Sequence, residues 1–329
     1  MSQSFMSSET SAHAGPPVGG ARSGLIAIVV AGILWGTTGV VVQLIRQSAD
    51  LSPVGIGFYR LAIAALALLL FIVRQLRPAV FVLRTRWWQL LLVGAGLGAY
   101  QALYFIAVAW GGVAIATVVS LGLAPVLITG WEAARSHRRP SRAALCSISG
   151  AVIGLTLITG FTVSPTGAAP RPLLGLLAAL GSGLGYAATT VLSRDISRHV
   201  RPLTLTAAST AIGALTLLPF AWLSGGLVLP GMSAATWMVA YLGIVATAVA
   251  YALFYMGLRT TTGSVAVVLT LLEPLTAAIF AVVVLGEEVS LPVVLGGGLL
   301  LGAVVIASHS ARTPGQGRRP ERRPATISG

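Results

Sequence analysis

Ten apolar stretches of roughly 20 residues each follow one another along this chain. They lie at 25–45, 54–73, 90–110, 113–131, 143–161, 173–193, 203–223, 237–257, 264–284 and 290–308. At a rise of 1.5 Å per residue, about 20 helical residues cross the ~30 Å hydrocarbon core of a bilayer. Lipid offers no water to an unpaired backbone, so segments of this kind cross as helices. Composition agrees: 56% of residues are hydrophobic and only 9% charged, against about 25% charged in soluble domains. The first stretch is longer than the apolar region of a signal peptide, and no small-residue cleavage site follows it. It reads as a membrane span. The expected fold is all-α and integral to the membrane.

The formal charge of +13 comes from arginine alone, because the chain has no lysine. Without lysine there is no P-loop and no pyridoxal Schiff base, so neither an ATP-hydrolysing module nor a cofactor is expected. Without asparagine there is no N-glycosylation site. The single cysteine, Cys146, lies in an apolar segment and reads as a buried structural thiol. Four histidines, at 13, 137, 199 and 309, show no metal-ligand spacing.

Arginine placement sets the expected orientation. Counted by alternate loops, eighteen of the 21 arginines fall on one side, Arg46 and Arg171 fall on the other, and Arg60 lies inside a span. The arginine-rich side faces the cytoplasm. Both termini are therefore expected there, in a bacterial inner (plasma) membrane. These arginines flank membrane spans, where topology and anionic lipid explain them, so no nucleic-acid partner is expected.

The two halves of the chain repeat. Gln101-Ala-Leu-Tyr-Phe105 matches Tyr251-Ala-Leu-Phe-Tyr255, 150 residues later. Thr117 to Pro125 matches Ala266 to Pro274, 149 residues later, and Pro53 pairs with Pro202 at the same offset. Each half holds five spans, and an odd number inverts the second half relative to the first. Inverted repeats of this kind support alternating access around a site near the midplane. The expected organisation is a cytoplasmic tail 1–24, repeat 1 at 25–161, a linker 162–172, repeat 2 at 173–308 and a basic tail 309–329. Both tails read as disordered.

Within the spans, glycines four residues apart (Gly32/Gly36, Gly94/Gly98, Gly150/Gly154, Gly181/Gly185, Gly298/Gly302) are expected to let helices approach closely. Arg60 and Glu273 are the strong charges well inside spans, at a cost of at least ~3 kcal/mol each. Such groups face a partner or a wet cavity, so they read either as a substrate or proton site or, structurally, as an ion pair or an arginine anchoring backbone carbonyls. Desolvation penalises the Glu273 carboxylate while a nearby arginine favours it, which makes Glu273 the proton-coupling candidate. Pro125 and Pro274 occupy matched mid-span positions and are expected to kink their helices and free backbone carbonyls. Trp35 sits mid-span, and Tyr100/Tyr104 and Tyr251/Tyr255 are i, i+4 pairs, each on one helix face. Buried Trp and Tyr need polar partners, and a cavity lining supplies them.

Trp35-Gly36, Phe58-Tyr59-Arg60 at the start of the second span, and Leu272-Glu273-Pro274-Leu275 through Leu285-Gly286-Glu287 resemble the drug/metabolite transporter (DMT) superfamily, in particular its EamA-type family. The first repeat departs from the pattern: Ala124-Pro125 is followed by Gly130-Trp131-Glu132, without a matching Leu-Gly-Glu. The resemblance implies ten spans as two EamA-like repeats and ATP-independent export or exchange of small solutes, such as amino acids, drugs and other metabolites. The candidate substrate-binding residues are Trp35, Tyr59, Arg60, Tyr100, Gln101, Tyr104, Tyr186, Tyr251, Tyr255 and Glu273. The expected partners are a small-molecule substrate, the lipid bilayer and a proton. A passive solute channel or a non-transporting sensor is the alternative. A membrane-embedded enzyme would need paired carboxylates, a histidine centre or a metal cluster, and the spans hold a single carboxylate.

Overall fold

The computed structural model describes residues 18–72, 84–162, 170–225, 227, 233–286 and 288–312. Among them run ten long apolar helices: α1 Val18–Ser48, α2 Pro53–Ile72, α3 Trp87–Gly111, α4 Val113–Ser136, α5 Arg142–Thr162, α6 Pro172–Ser197, α7 Pro202–Leu223, α8 Ala234–Leu258, α9 Gly263–Leu285 and α10 Leu291–Arg312. Each coincides with one expected span, and most extend past it, because a helix can continue into the headgroup region, where polar residues are tolerated. α1 and α10 thereby enter the segments expected as tails. Residues 1–17 and 313–329, most of the expected linker (163–169) and Glu287 lie outside the described residues.

The main helix pairings survive exchange of each helix with its counterpart five positions on. α3 packs on α6 as α8 packs on α1; α4 packs on α6 as α9 packs on α1; α3 packs on α7 as α8 packs on α2. The α2–α7 and α5–α10 pairs map onto themselves. This is the pattern a two-fold relation between two five-helix repeats produces.

The α5–α10 pair depends on glycine. A Cβ on Gly154 would stand 2.6 Å from the Gly296 carbonyl oxygen, and one on Gly296 would stand 2.7 Å from that of Gly154. Gly298 and Gly302, expected in this role, face open space. In an apolar helix every face suits lipid, so spacing alone does not reveal which face meets a neighbour.

The outside of the bundle is apolar, with Leu70, Leu215, Leu223 and Val283 among the most exposed side chains. Exposed tryptophans mark both rims: Trp87, Trp88 and Trp131 at helix ends on one side, Trp222 and Trp237 on the other. This is the aromatic belt of a membrane protein. Cys146 is exposed on α5, which corrects the expectation of a buried thiol: α5 is peripheral, and this face of it looks outward.

Two helices are irregular. α8 contains a π-helical turn, Ile244–Val249, in which Thr247 Oγ1 donates to Leu242 O at 2.7 Å. A π-turn adds one residue, the difference between the 149 and 150 offsets of the repeats. α9 breaks at Leu271, two residues before Glu273 and three before Pro274. α4, by contrast, runs unbroken through Pro125.

Candidate functional site

A cavity of ≈ 740 Å³ enters the bundle from the side of the α1–α2 and α3–α4 connections. α1 lines it along one stripe, Trp35, Thr38, Gly39, Val42, Gln43, Arg46 and Gln47, which is the i, i+3, i+4, i+7 face of a helix. Pro53, Ile56, Gly57 and Arg60 form the same kind of stripe on α2, and Tyr100, Gln101, Tyr104, Phe105 and Val108 form one on α3. α4 adds Ser120 and Leu121, α6 adds Ser182 and Tyr186, α8 adds Tyr251 and α9 adds Glu273. The exposed Gln43, Arg46 and Gln47 mark the mouth.

The walls are tied by a polar network. Arg60 Nη2 donates to Gln101 Oε1 at 3.0 Å, joining α2 to α3. The hydroxyls of Tyr100 and Tyr251 meet at 2.9 Å, joining α3 to α8. Tyr186 meets Thr270 at 3.0 Å and Tyr104 meets Thr117 at 2.9 Å. Ser182 donates to the Tyr100 carbonyl at 2.9 Å. Trp35 stands edge-on to Tyr251, with centroids 4.9 Å apart. Arg60 and Glu273 line the same cavity without forming an ion pair, and Glu273 takes part in no hydrogen bond among the described residues. The structural reading of the two charges as an ion pair is therefore not what their geometry displays.

Of the ten candidate binding residues, eight line this cavity: Trp35, Arg60, Tyr100, Gln101, Tyr104, Tyr186, Tyr251 and Glu273. Tyr59 and Tyr255 do not. Tyr59, about 100° around the helix from Arg60, packs among Ile45, Leu51, Ile56, Ala235 and Val239. Tyr255 lies fully buried, its hydroxyl donating to Ser209 Oγ at 3.2 Å. Pro125 and Pro274 are buried and sit outside the lining. The sequence reading passed over Thr38, Gln43, Arg46 and Gln47; continuing the stripe of Trp35 along its helix would have found them. It also passed over Ser120 and Ser182, ordinary small polar residues until the fold turns them inward.

The cavity stops inside the bundle. Along one face of α4, Ser120 borders it, Ala124 and Ile128 follow at successive turns, and Glu132 comes last. Ala124, Ile128, Ala187 and Val267 form a buried apolar plug. Beyond the plug, Glu132 accepts the Gly263 N–H at 2.9 Å and the Ser264 hydroxyl. Arg194 Nε donates to the Thr261 carbonyl at 2.9 Å beside it.

The pattern of the EamA-like transporter family matches residues 22–160 and 173–309. The chain is 32% identical over 288 residues to the Uncharacterized transporter YwfM of Bacillus subtilis, covering 87% of this chain and 93% of that one. It is 29% identical over 310 residues to the Uncharacterized inner membrane transporter YicL of Salmonella typhimurium, covering 90% and 98%. A solved crystal structure shares the fold with a TM-score of 0.75 at 21% identity, over 88% of this chain and 98% of that chain.

Proposed function

This chain belongs to the EamA-like transporter family of the DMT superfamily and is a multi-pass membrane transporter, and from that premise we propose a secondary carrier that exports or exchanges a small organic metabolite. Amino acids, drugs and related solutes are the substrate range. Transport proceeds by alternating access without ATP hydrolysis, in a bacterial inner membrane with both termini in the cytoplasm.

The observation that carries the reading is the blind cavity. A channel needs a continuous path; here a cavity of ≈ 740 Å³ lined by charged and aromatic side chains is stopped by an apolar plug and a polar latch. A conformational change that opens the plug and closes the mouth would move the site to the other face. Inverted repeats supply such a change, because each half can adopt the arrangement of the other. Glu273 on the broken helix α9 is the proposed proton carrier.

Counterflow in proteoliposomes tests the proposal. Vesicles loaded with an unlabelled solute should take up the labelled solute in a saturable, trans-stimulated way. Unsaturable flux accompanied by conductance would establish a channel instead, and absence of flux across a broad metabolite panel would favour a sensor.

A further inference from the structure

Besides the Thr38 hydroxyl, three buried N–H groups on residues of the cavity lining are left unpaired. Arg60 Nε, Gln101 Nε2 and Trp35 Nε1 are all buried and all lack a hydrogen-bond partner. Each is an N–H that can only donate. Gln101 leaves no ambiguity about its amide: its oxygen already accepts from Arg60 at 3.0 Å, so the nitrogen is the free end. Gln101 is only 5% exposed and Trp35 7%, so bulk water does not bathe them. All three residues line the same cavity, so a solute seated there can offer them acceptors. Burying such a donor unpaired is costly, and a hydrogen bond to an ionised acceptor is roughly twice as strong as a neutral one.

We infer that the α2–α3 wall, with Trp35 beside it, is an oxyanion subsite for the carboxylate of an amphipathic organic acid. The Arg60 guanidinium supplies the charge and the planar donor edge, and Gln101 holds it in place while offering its own N–H alongside. Arg46 at the mouth adds a second positive charge on the entry path. The body of the solute lies against Ile56, Phe105, Val108 and Leu121, which offer no hydrogen bonds from their side chains. Glu273 is the single acid in the lining and belongs to the α9 wall, so the anionic group seats on α2 and α3. This inference rests on the carrier reading only in taking the cavity as the solute site.

Titration calorimetry on the purified full chain in nanodiscs tests it with matched probes: 3-phenylpropionate against 3-phenylpropionamide, and cyclohexanecarboxylate against its amide. Each acid should bind at least about tenfold more tightly than its amide, the scale of one charge-assisted hydrogen bond. Gln101→Glu keeps the bond to Arg60 but replaces the free donor with a carboxylate oxygen. It should erase the preference for acid while leaving the melting temperature unchanged. Trp35→Phe, which removes one N–H, should weaken the acid several-fold and the amide less. Equal affinity for acid and amide, an acid preference that survives in both Gln101→Glu and Arg60→Ala, or no binding of any probe at millimolar concentration overturns the subsite. The carrier reading fails separately: acids that bind through Arg60 but show no counterflow leave the subsite standing and remove the carrier, and counterflow of a neutral solute indifferent to Gln101→Glu does the reverse.

Discussion

Glu132, in the last turns of α4, accepts the backbone N–H of Gly263 at 2.9 Å at the amino end of α9. A carboxylate at a helix N-terminus meets both unpaired N–H groups and the positive end of the helix dipole. The inverted counterpart has no such latch. At the 149-residue offset Glu132 corresponds to Ala281, and Gly263 and Ser264 correspond to Ala114 and Ile115. The two mouths of the proposed carrier are therefore held shut by unequal forces, and the side of Glu132 is the one closed here.

Removing the latch should shift the balance between the two states. In a Cys146→Ser background carrying Ala187→Cys in the plug, Glu132→Gln should raise labelling by a water-soluble maleimide about tenfold, since hydrogen bonds to a charged group are worth about 1.5–3 kcal/mol. Glu132→Asp should restore part of the protection. Unchanged labelling in Glu132→Gln would show that the plug alone closes this side.

Orientation is the second prediction, from the eighteen-to-two division of loop arginines. An alkaline phosphatase fused after the C-terminus should be inactive and a fluorescent protein fused there should fluoresce. The reverse pair of results would place the arginine-rich side outside and exchange the two mouths.

The third concerns the glycine contact between α5 and α10. Gly154→Leu puts a branched side chain where a Cβ alone already stands 2.6 Å from the Gly296 carbonyl. Overpacking of this kind costs about 1–3 kcal/mol, so the melting temperature in detergent should fall. Gly298→Leu, which points into open space, should leave it unchanged. An equal loss in both variants would mean that helix propensity, not the interface, sets the effect.

Span count, span position and the repeat were legible in the sequence because bilayer thickness fixes helix length and the 149-residue register recurs in several motifs. Arg60 and Glu273 were legible because a charge in a span is costly without a cavity or partner. Rotation about each helix axis was not. Tyr255 shares a face with Tyr251 at i, i+4, yet one lies buried on Ser209 and the other lines the cavity, because the face runs past the cavity floor. Cys146 and Gly298 were misplaced for a related reason: in a chain that is apolar all round, lipid and protein are equally acceptable neighbours. Glu132 was visible only as a departure from the family pattern, and its role emerges once α4 brings it to α9.

The final prediction concerns Glu273. Its carboxylate lines the cavity on α9, one residue before Pro274 and two after the break at Leu271. No hydrogen bond from a described residue holds it, and no ion pair ties it to Arg60. A carboxylate so placed is governed by two opposed influences: loss of hydration penalises its charged form, and the Arg60 charge on the same cavity favours it. The balance changes whenever the cavity gains or loses access to water, which is what alternating access does at each half-cycle. Glu273→Gln keeps the size and polarity of the side chain but cannot take up or release a proton. In proteoliposomes with an imposed pH gradient it should lose gradient-driven accumulation while retaining solute exchange, because exchange moves no net proton. Insertion and melting temperature should match the parent, since the side chain takes part in no hydrogen bond that the substitution would break. Full gradient-driven transport by Glu273→Gln would remove the proton role and leave Glu273 as a solute contact; loss of exchange as well would place it in binding rather than coupling.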